Sequence, residues 1–456
     1  MQRYHYTLSI PEDQDNRRLV VSWLLLALGS LVGSGLVVIL VVLARTPLIS
    51  AIIPWVASFR TALVVHVDLS VLVWFLAFAG ALAAITLNRP RPVMERTGLW
   101  PAVVGAVIIA LSPFLGPDLP FMNNYVPVLK NWPFFIGLAL LLGGFLVMTV
   151  LGLIPDQDPV RTTPEEAALR FGLKTALAII ILAALVQIQT QFKMPLDSEK
   201  NQEYFEMLFW GSGHVLQFAH TQLLLLAWLW LASEGGVAPP VPASTVIAFF
   251  AVGALPVVVA PAMNAVYAID SMDLRLAYTS LMIYGNGLAT IPLGLAILWG
   301  IFKGPRSSPA TVGPERTALL LSLLLFAVGG LVGFLIQGGN VTIPAHYHGS
   351  IIGVTTAYMG LTYHLLPKLG FRAPPPRLAR WQLRLYGLGS VAHILGLAWS
   401  GEHGVPRKTP GIEQGLDALA AKLPMAIMGT GGILAVTGGL LFLVLAFRAM
   451  RHGRDR

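Results

Sequence analysis

Long apolar runs alternate with short polar connectors from one end of the chain to the other. They lie at about 19–44, 61–87, 99–116, 133–154, 172–192, 205–233, 243–268, 276–302, 317–338, 343–367, 382–400 and 424–447. An α-helix rises 1.5 Å per residue, so about 20 apolar residues cross a bilayer core. Each run therefore predicts a membrane-spanning helix, and the count predicts an all-α bundle of about twelve transmembrane helices. Residues 1–456 read as a single integral membrane domain, with short polar tails at 1–17 and 448–456. Connectors such as Arg89-Pro90-Arg91-Pro92 and Pro374-Pro375-Pro376 are proline-stiffened turns.

Charge placement sets the expected orientation. With the N-terminus in the cytoplasm, twenty-one of the thirty Lys and Arg residues fall on the inner side and nine on the outer. Cytoplasmic loops carry such an excess, so both termini are expected to be cytoplasmic and the number of spans even. Charged residues make up only 11% of the chain and hydrophobic ones 55%, which excludes a large soluble domain. The net charge of +8 follows from the basic inner loops and implies no nucleic acid. The chain has no Cys, which excludes disulfides, iron–sulfur clusters, thiolate-ligated haem and a thiolate-bridged copper pair.

Histidine is costly inside a bilayer and marks function there. His66 lies near the outer end of the second run, His214 and His220 in the outer half of the sixth, and His346 and His348 at the outer end of the tenth. Five histidines on three spans thus share one depth. His346 and His348 are two residues apart, and at ~100° per residue their side chains leave the helix ~200° apart. One helix can then offer an imidazole to each of two neighbours. Haem iron is one acceptor that fits; a pair of hydrogen-bonding histidines beside a polar cavity is the other. His5 and His452 fall in the tails, His364 at the inner end of the tenth run, His403 in an outer loop, and His393 mid-span in the eleventh, where packing or hydrogen bonding is expected. The outer loop Pro406-Arg407-Lys408 places two adjacent cations against the general charge bias and invites an anionic partner such as a haem propionate.

Together these residues resemble subunit I of the haem–copper oxidase superfamily, the terminal oxidases and nitric oxide reductases, over nearly the whole chain. The resemblance implies two haems. His66 and His348 would be the axial pair of a low-spin haem, and His346 the proximal ligand of a high-spin haem. Arg407 and Lys408 would hold propionates. Trp210-Gly211-Ser212-Gly213-His214 is similar to the family's sixth-span segment, which makes His214 the candidate catalytic residue and second-metal ligand. The activity implied is electron transfer from the low-spin to the high-spin haem and reduction of O2 or NO there. The alternative is a two-haem electron-transfer or gas-binding protein without a copper site. The expected partners are a cupredoxin-like or cytochrome c subunit as electron donor, O2 or NO, and membrane lipid. The expected location is the cytoplasmic membrane of a bacterium or archaeon.

The sequence departs from that pattern at the second metal, copper or non-haem iron. The family's adjacent histidines of the seventh span are absent from Ala260-Pro261-Ala262-Met263-Asn264-Ala265-Val266-Tyr267. Phe218 stands where oxidases carry a tyrosine, and Gln217 where nitric oxide reductases carry a glutamate. His220 and Met263 are the available substitute donors.

Overall fold

A computed structural model describes residues 4–50, 52, 58–87, 92–116, 119–154, 162–195, 199–237, 239–303, 313–416 and 418–451. Arg3, Arg89, Arg91, Arg161, Arg306, His452, Arg454 and Arg456, with the extreme ends of both expected tails, lie outside the described residues. The chain is an all-α polytopic membrane protein. In chain order the long helical segments are α1 Gln14–Arg45, α2 Phe59–Ile85, α3 Pro92–Leu111, α4 Trp132–Leu153, α5 Pro164–Lys193, α6 Gln202–Glu234, α7 Ala243–Val266, α8 Met272–Lys303, α9 Pro314–Gly333, α10 Thr342–Lys368, α11 Pro376–Glu402 and α12 Leu419–Arg451. Each coincides with one apolar run of the sequence.

The helices outrun the apolar runs where capping and charge extend them. The fifth run was expected from residue 172, but α5 begins at Pro164. The Thr163 side chain accepts from the Glu166 N–H, and Glu166 pairs with Arg170 at 2.9 Å one turn on. Three helices are locally irregular, and α8 is one of them, interrupted by a turn at Asn286. In α7 a 3-10 turn at Leu255–Val259 contains Pro256, which lacks an N–H. In α2 residues Asp68–Val73 form a π turn, a rare feature often found at functional sites. A two-stranded hairpin, β1 Pro120–Phe121 and β2 Val128–Leu129, lies between α3 and α4. It is too short to leave a periodic signature.

The described residues group into two compact units. The first comprises residues 1–27 and 72–305, the second residues 28–71 and 306–456. In the first, α3 packs on α4, α5 on α6 and α7, and α7 on α8. Residues 4–13 of the expected N-terminal tail are partly packed into this unit. Tyr6 is fully buried; its N–H donates to the Ser233 Oγ at 2.8 Å and its hydroxyl to the Val241 carbonyl. In the second unit α9, α10, α11 and α12 pack in turn around Leu325, Val332, Ala345, Ile394, Leu397, Met425 and Met428. Lipid is as apolar as these side chains, so close backbone approach matters more here than burial. At the α9–α10 crossing Gly329 faces Gly349. A Cβ on Gly349 would lie 2.4 Å from the Gly329 Cα, so no larger residue fits without moving a helix.

Candidate functional site

Five of the six expected site residues lie in the second unit. His66 is on α2, His346 and His348 on the first two turns of α10, and Arg407 and Lys408 in the loop after α11. The loop is stitched to the start of α10 by backbone: the Val341 N–H donates to the Val405 carbonyl at 3.1 Å, and Asn340 bridges to Pro406. Lys408 is held at φ 62°, a left-handed conformation uncommon for a residue with a side chain. The pairing thus fixes the two cations beside the helix that carries both histidines.

Each imidazole is oriented through Nδ1. That of His348 donates to the Pro344 carbonyl at 2.7 Å and that of His346 to the Gly329 carbonyl at 2.8 Å. A carbonyl can only accept, so the proton is on Nδ1 and the neutral ring's lone pair is on Nε2. The His66 Nδ1 lies 2.8 Å from the Ser34 Oγ, and that hydroxyl is within 3.3 Å of the His66 carbonyl. If Ser34 donates to the carbonyl, it accepts from Nδ1, which again leaves Nε2 as the lone pair. Among the described residues the Nε2 atoms of these three rings make no hydrogen bond. A ring nitrogen fixed by a carbonyl or hydroxyl on one side and open on the other is the donor arrangement of metal-binding histidines. This set therefore fits haem iron.

Two further residues were not expected at this place. His393 on α11 lies with its ring 5.1 Å from that of His348, and its Nδ1 donates to the Met428 carbonyl at 2.9 Å. Arg45, the last residue of α1, is 8% exposed, and its guanidinium donates to the Gln414 Oε1 at 3.3 Å and the Pro406 carbonyl at 3.2 Å. A single His in mid-span carries no periodic signal of its own. Arg45 carried one: it is an outer-side cation against the charge bias. Asp68, two residues after His66, is 1% exposed, and neither of its oxygens has a partner among the described residues.

His214, on α6 of the first unit, has different surroundings. It is 4% exposed. Its Nδ1 donates to the Trp210 carbonyl at 2.7 Å, and its Nε2 accepts from the Tyr125 hydroxyl at 3.0 Å. Tyr125 comes from the loop after α3 and lies over Gly213, where a Cβ would meet its ring at 2.2 Å. Burial, with Glu206 nearby, holds the Tyr125 hydroxyl above the ordinary tyrosine range, so it keeps its proton as a donor. On the other side, Tyr278 of α8 lies 5.6 Å from the His214 ring and donates to the Asn264 Oδ1 at 2.7 Å. The Asn264 Nδ2 donates in turn to the Thr190 Oγ1 at 2.9 Å. Asn264 is thus committed to a hydrogen-bond network in the segment where the family carries two histidines. His220 is packed edge-on against the Phe75 ring at 4.8 Å. No group of three His, Cys, Asp or Glu side chains able to hold a metal ion occurs among the described residues. Neither copper nor non-haem iron fits His214 as it stands, because both of its nitrogens are engaged.

Comparison with known proteins agrees with the fold. Residues 18–435 match the family described as cytochrome C and quinol oxidase polypeptide I. An uncharacterised protein of Rickettsia prowazekii is 28% identical, over 95% of this chain and 96% of that one. An uncharacterised protein of Aquifex aeolicus is 30% identical over 76% and 85%. Cytochrome c oxidase subunit 1 of Thermus thermophilus is 26% identical over 95% and 83%. Among solved structures, a haem–copper terminal oxidase superposes with a TM-score of 0.72 at 17% identity, covering 97% of this chain and 85% of that one. By its match over most of its length, this chain belongs to the cytochrome c and quinol oxidase polypeptide I family, the haem–copper oxidase subunit I fold.

Proposed function

We propose that this protein is the haem-carrying subunit of a membrane oxidoreductase. His66 and His348 hold a low-spin haem between them, and His346 holds a high-spin haem from the opposite face of α10. When bound, the haems would supply electron-transfer and O2- or NO-reducing chemistry. The chain's own part is to orient and neutralise. Ser34, Pro344 and Gly329 fix the three rings so that Nε2 is the free donor. Arg407 and Lys408 present positive charge to the propionates. The observation that carries this reading is the shared arrangement of three intramembrane imidazoles, each tied at Nδ1 and open at Nε2. A separate cupredoxin-like or cytochrome c subunit would deliver electrons, since the chain has no Cys with which to build a thiolate copper centre. The charge bias of the loops supports a cytoplasmic membrane with both termini inside.

One observation favours a second reading, an electron-transfer or gas-binding protein with two haems and no second metal. Tyr125 and Trp210 occupy both nitrogens of His214.

Carbon monoxide difference spectra of single-histidine variants test the haem assignment. His348→Ala and His66→Ala should each remove the six-coordinate signal. His346→Ala should spare it and abolish carbon monoxide binding. A reversed outcome for His346 and His348 would overturn the assignment. Metal analysis separates the two readings: one copper or non-haem iron per two haems supports the reductase with a second metal, and haem iron alone supports the second reading.

A further inference from the structure

In the first unit, α2, α4 and α5 border an open cleft of about 350 Å³, lined by Thr86, Leu87, Gly152, Ile154, Arg170 and Lys174. That size lies at the lower end of the range for small-ligand pockets. The cleft is on the side of the N-terminus, since the Asn16 Nδ2 at the start of α1 donates to the Leu87 carbonyl at 3.0 Å. Arg170 is held in place. Its Nε and Nη2 reach the Glu166 Oε1 at 2.9 Å, and its Nη1 donates to the Thr86 carbonyl at 3.0 Å. The Glu166 Oε2 accepts in turn from the Ser9 hydroxyl at 2.8 Å. Glu166 thus cancels the charge of Arg170, but a guanidinium has five N–H groups and these contacts engage three. Lys174, one turn on, is exposed and has no ion pair or hydrogen bond among the described residues. It is the surplus positive charge of the cleft.

The position of Lys174 indicates which anion. A lysine on a loop tip would simply be solvated. Lys174 instead stands ten residues after Pro164, about 15 Å along α5 and inside its apolar run, where a long cationic side chain reaches toward the headgroup layer. The wall of the cleft is open to lipid as well. Ile154, just past the end of α4, is exposed, and so are Val150 and Val147, which continue the exposed apolar surface along α4 at helical spacing. Cations at one end of an exposed apolar stripe are complementary to a phosphate joined to an acyl chain. We propose that this cleft binds an anionic phospholipid, with Lys174 and the remaining N–H groups of Arg170 on its phosphate and Val147 and Val150 along an acyl chain. Basic pockets between membrane helices recognise such headgroups, each cation adding to the attraction. Glu166 joins Arg170 to Ser9, so the lipid would also brace the packed N-terminal segment.

The test is thermal melting of the delipidated full-length protein in a neutral detergent. It is titrated separately with short-chain phosphatidylglycerol, the matching phosphatidylcholine and inorganic phosphate, at constant ionic strength. A ligand of the folded state raises the melting temperature as its concentration rises. Phosphatidylglycerol should do so in the parent, and the other two should do so far less at the same concentration. Lys174→Gln should move the phosphatidylglycerol titration to about fivefold higher concentration, the equivalent of about 1 kcal/mol for one cation at an anionic headgroup. Ile154→Glu keeps both cations but sets a carboxylate in the cleft, and should move it in the same direction. Lys422→Gln, which removes a charge at the start of α12, should leave it unchanged. An equal rise with phosphatidylcholine overturns the inference, and so does an equal rise with inorganic phosphate, which would make this a free-anion site. A purely structural Lys174 predicts earlier melting of Lys174→Gln without lipid and an unmoved titration, which overturns it too. If Lys174→Gln does not fold, Ile154→Glu decides. None of these outcomes bears on the haem assignment.

Discussion

The α9–α10 crossing offers a perturbation whose size can be worked out atom by atom. In Gly349→Ala the new Cβ would stand 2.4 Å from the Gly329 Cα and 2.6 Å from its N, where ordinary contact begins at 3.4 Å. Both obstacles are backbone, so no side-chain rotation relieves them, and the helices must part by about 1 Å to reach contact distance. Overpacking of this kind costs about 1–3 kcal/mol. Even one or two of those change the folded-to-unfolded ratio by a factor of roughly 5–30. The same movement, if directed along the His346–Gly329 bond, would stretch it from 2.8 Å beyond hydrogen-bond range. The ring would then lose its orientation before the helix lost its place. Gly330→Ala is the matched control: nothing lies within 4 Å of its Cβ, and alanine is a better helix former by about 1 kcal/mol. Detergent-solubilised variants would be heated and the fraction remaining monodisperse followed, with haem spectra recorded at equal protein. Gly349→Ala should melt earlier and lose carbon monoxide binding first, while Gly330→Ala should match or exceed the parent. Equal melting and equal spectra in the two variants would refute the backbone-contact argument.

Ser34→Ala removes the group that fixes the His66 ring, a loss of about 0.5–1.5 kcal/mol for one hydrogen bond. The low-spin haem should then be released at lower denaturant concentration, with His346-dependent carbon monoxide binding unchanged. In the N-terminal segment, burial, with Glu165 and Tyr4 adding to it, raises the Tyr6 hydroxyl above the ordinary tyrosine value of 10. The folded chain therefore holds this proton more tightly than the unfolded chain. The contribution is complete below about pH 10 and is lost as the pH rises above it. Tyr6→Phe should be less stable than the parent at neutral pH, having lost the bond to Val241, but should lose less stability between pH 8 and 11, roughly the range over which an unfolded tyrosine titrates. Parallel melting curves across that range would count against it.

Twelve helices were legible because a bilayer imposes a minimum apolar length on every span, and that length is visible in one dimension. Their ends were less so. The first turns of α5 are polar, and a cap at Thr163 with the Glu166–Arg170 pair carries the helix back to Pro164 beyond the apolar run. The π turn after His66 depends on how α2 packs, and nothing in Asp68-Leu69-Ser70-Val71-Leu72-Val73 announces it.

The site divides along the same line, between what spacing along one helix determines and what other segments bring. The ~200° between His346 and His348 follows from helix geometry, and the structure shows the two rings tied to different carbonyls, of α9 and of α10 itself. The partners of those rings could not be read from spacing. Ser34 is thirty-two residues from His66, and Arg45 reaches Gln414 across 369 residues. The same holds for His214, whose partner Tyr125 is 89 residues away in a loop. Four intramembrane imidazoles, those of His214, His346, His348 and His393, carry the proton on Nδ1 because a carbonyl accepts it there. What separates His214 from His346 and His348 is therefore the far side of the ring: a tyrosine hydroxyl closes its Nε2 where theirs are open. A metal at His214 would have to displace either the Tyr125 hydroxyl or the Trp210 carbonyl, and Gly213 leaves just the space that the tyrosine ring fills. The loss of the seventh-span histidines and the seating of Tyr125 thus act in the same direction, each removing a ligand position that the other would need.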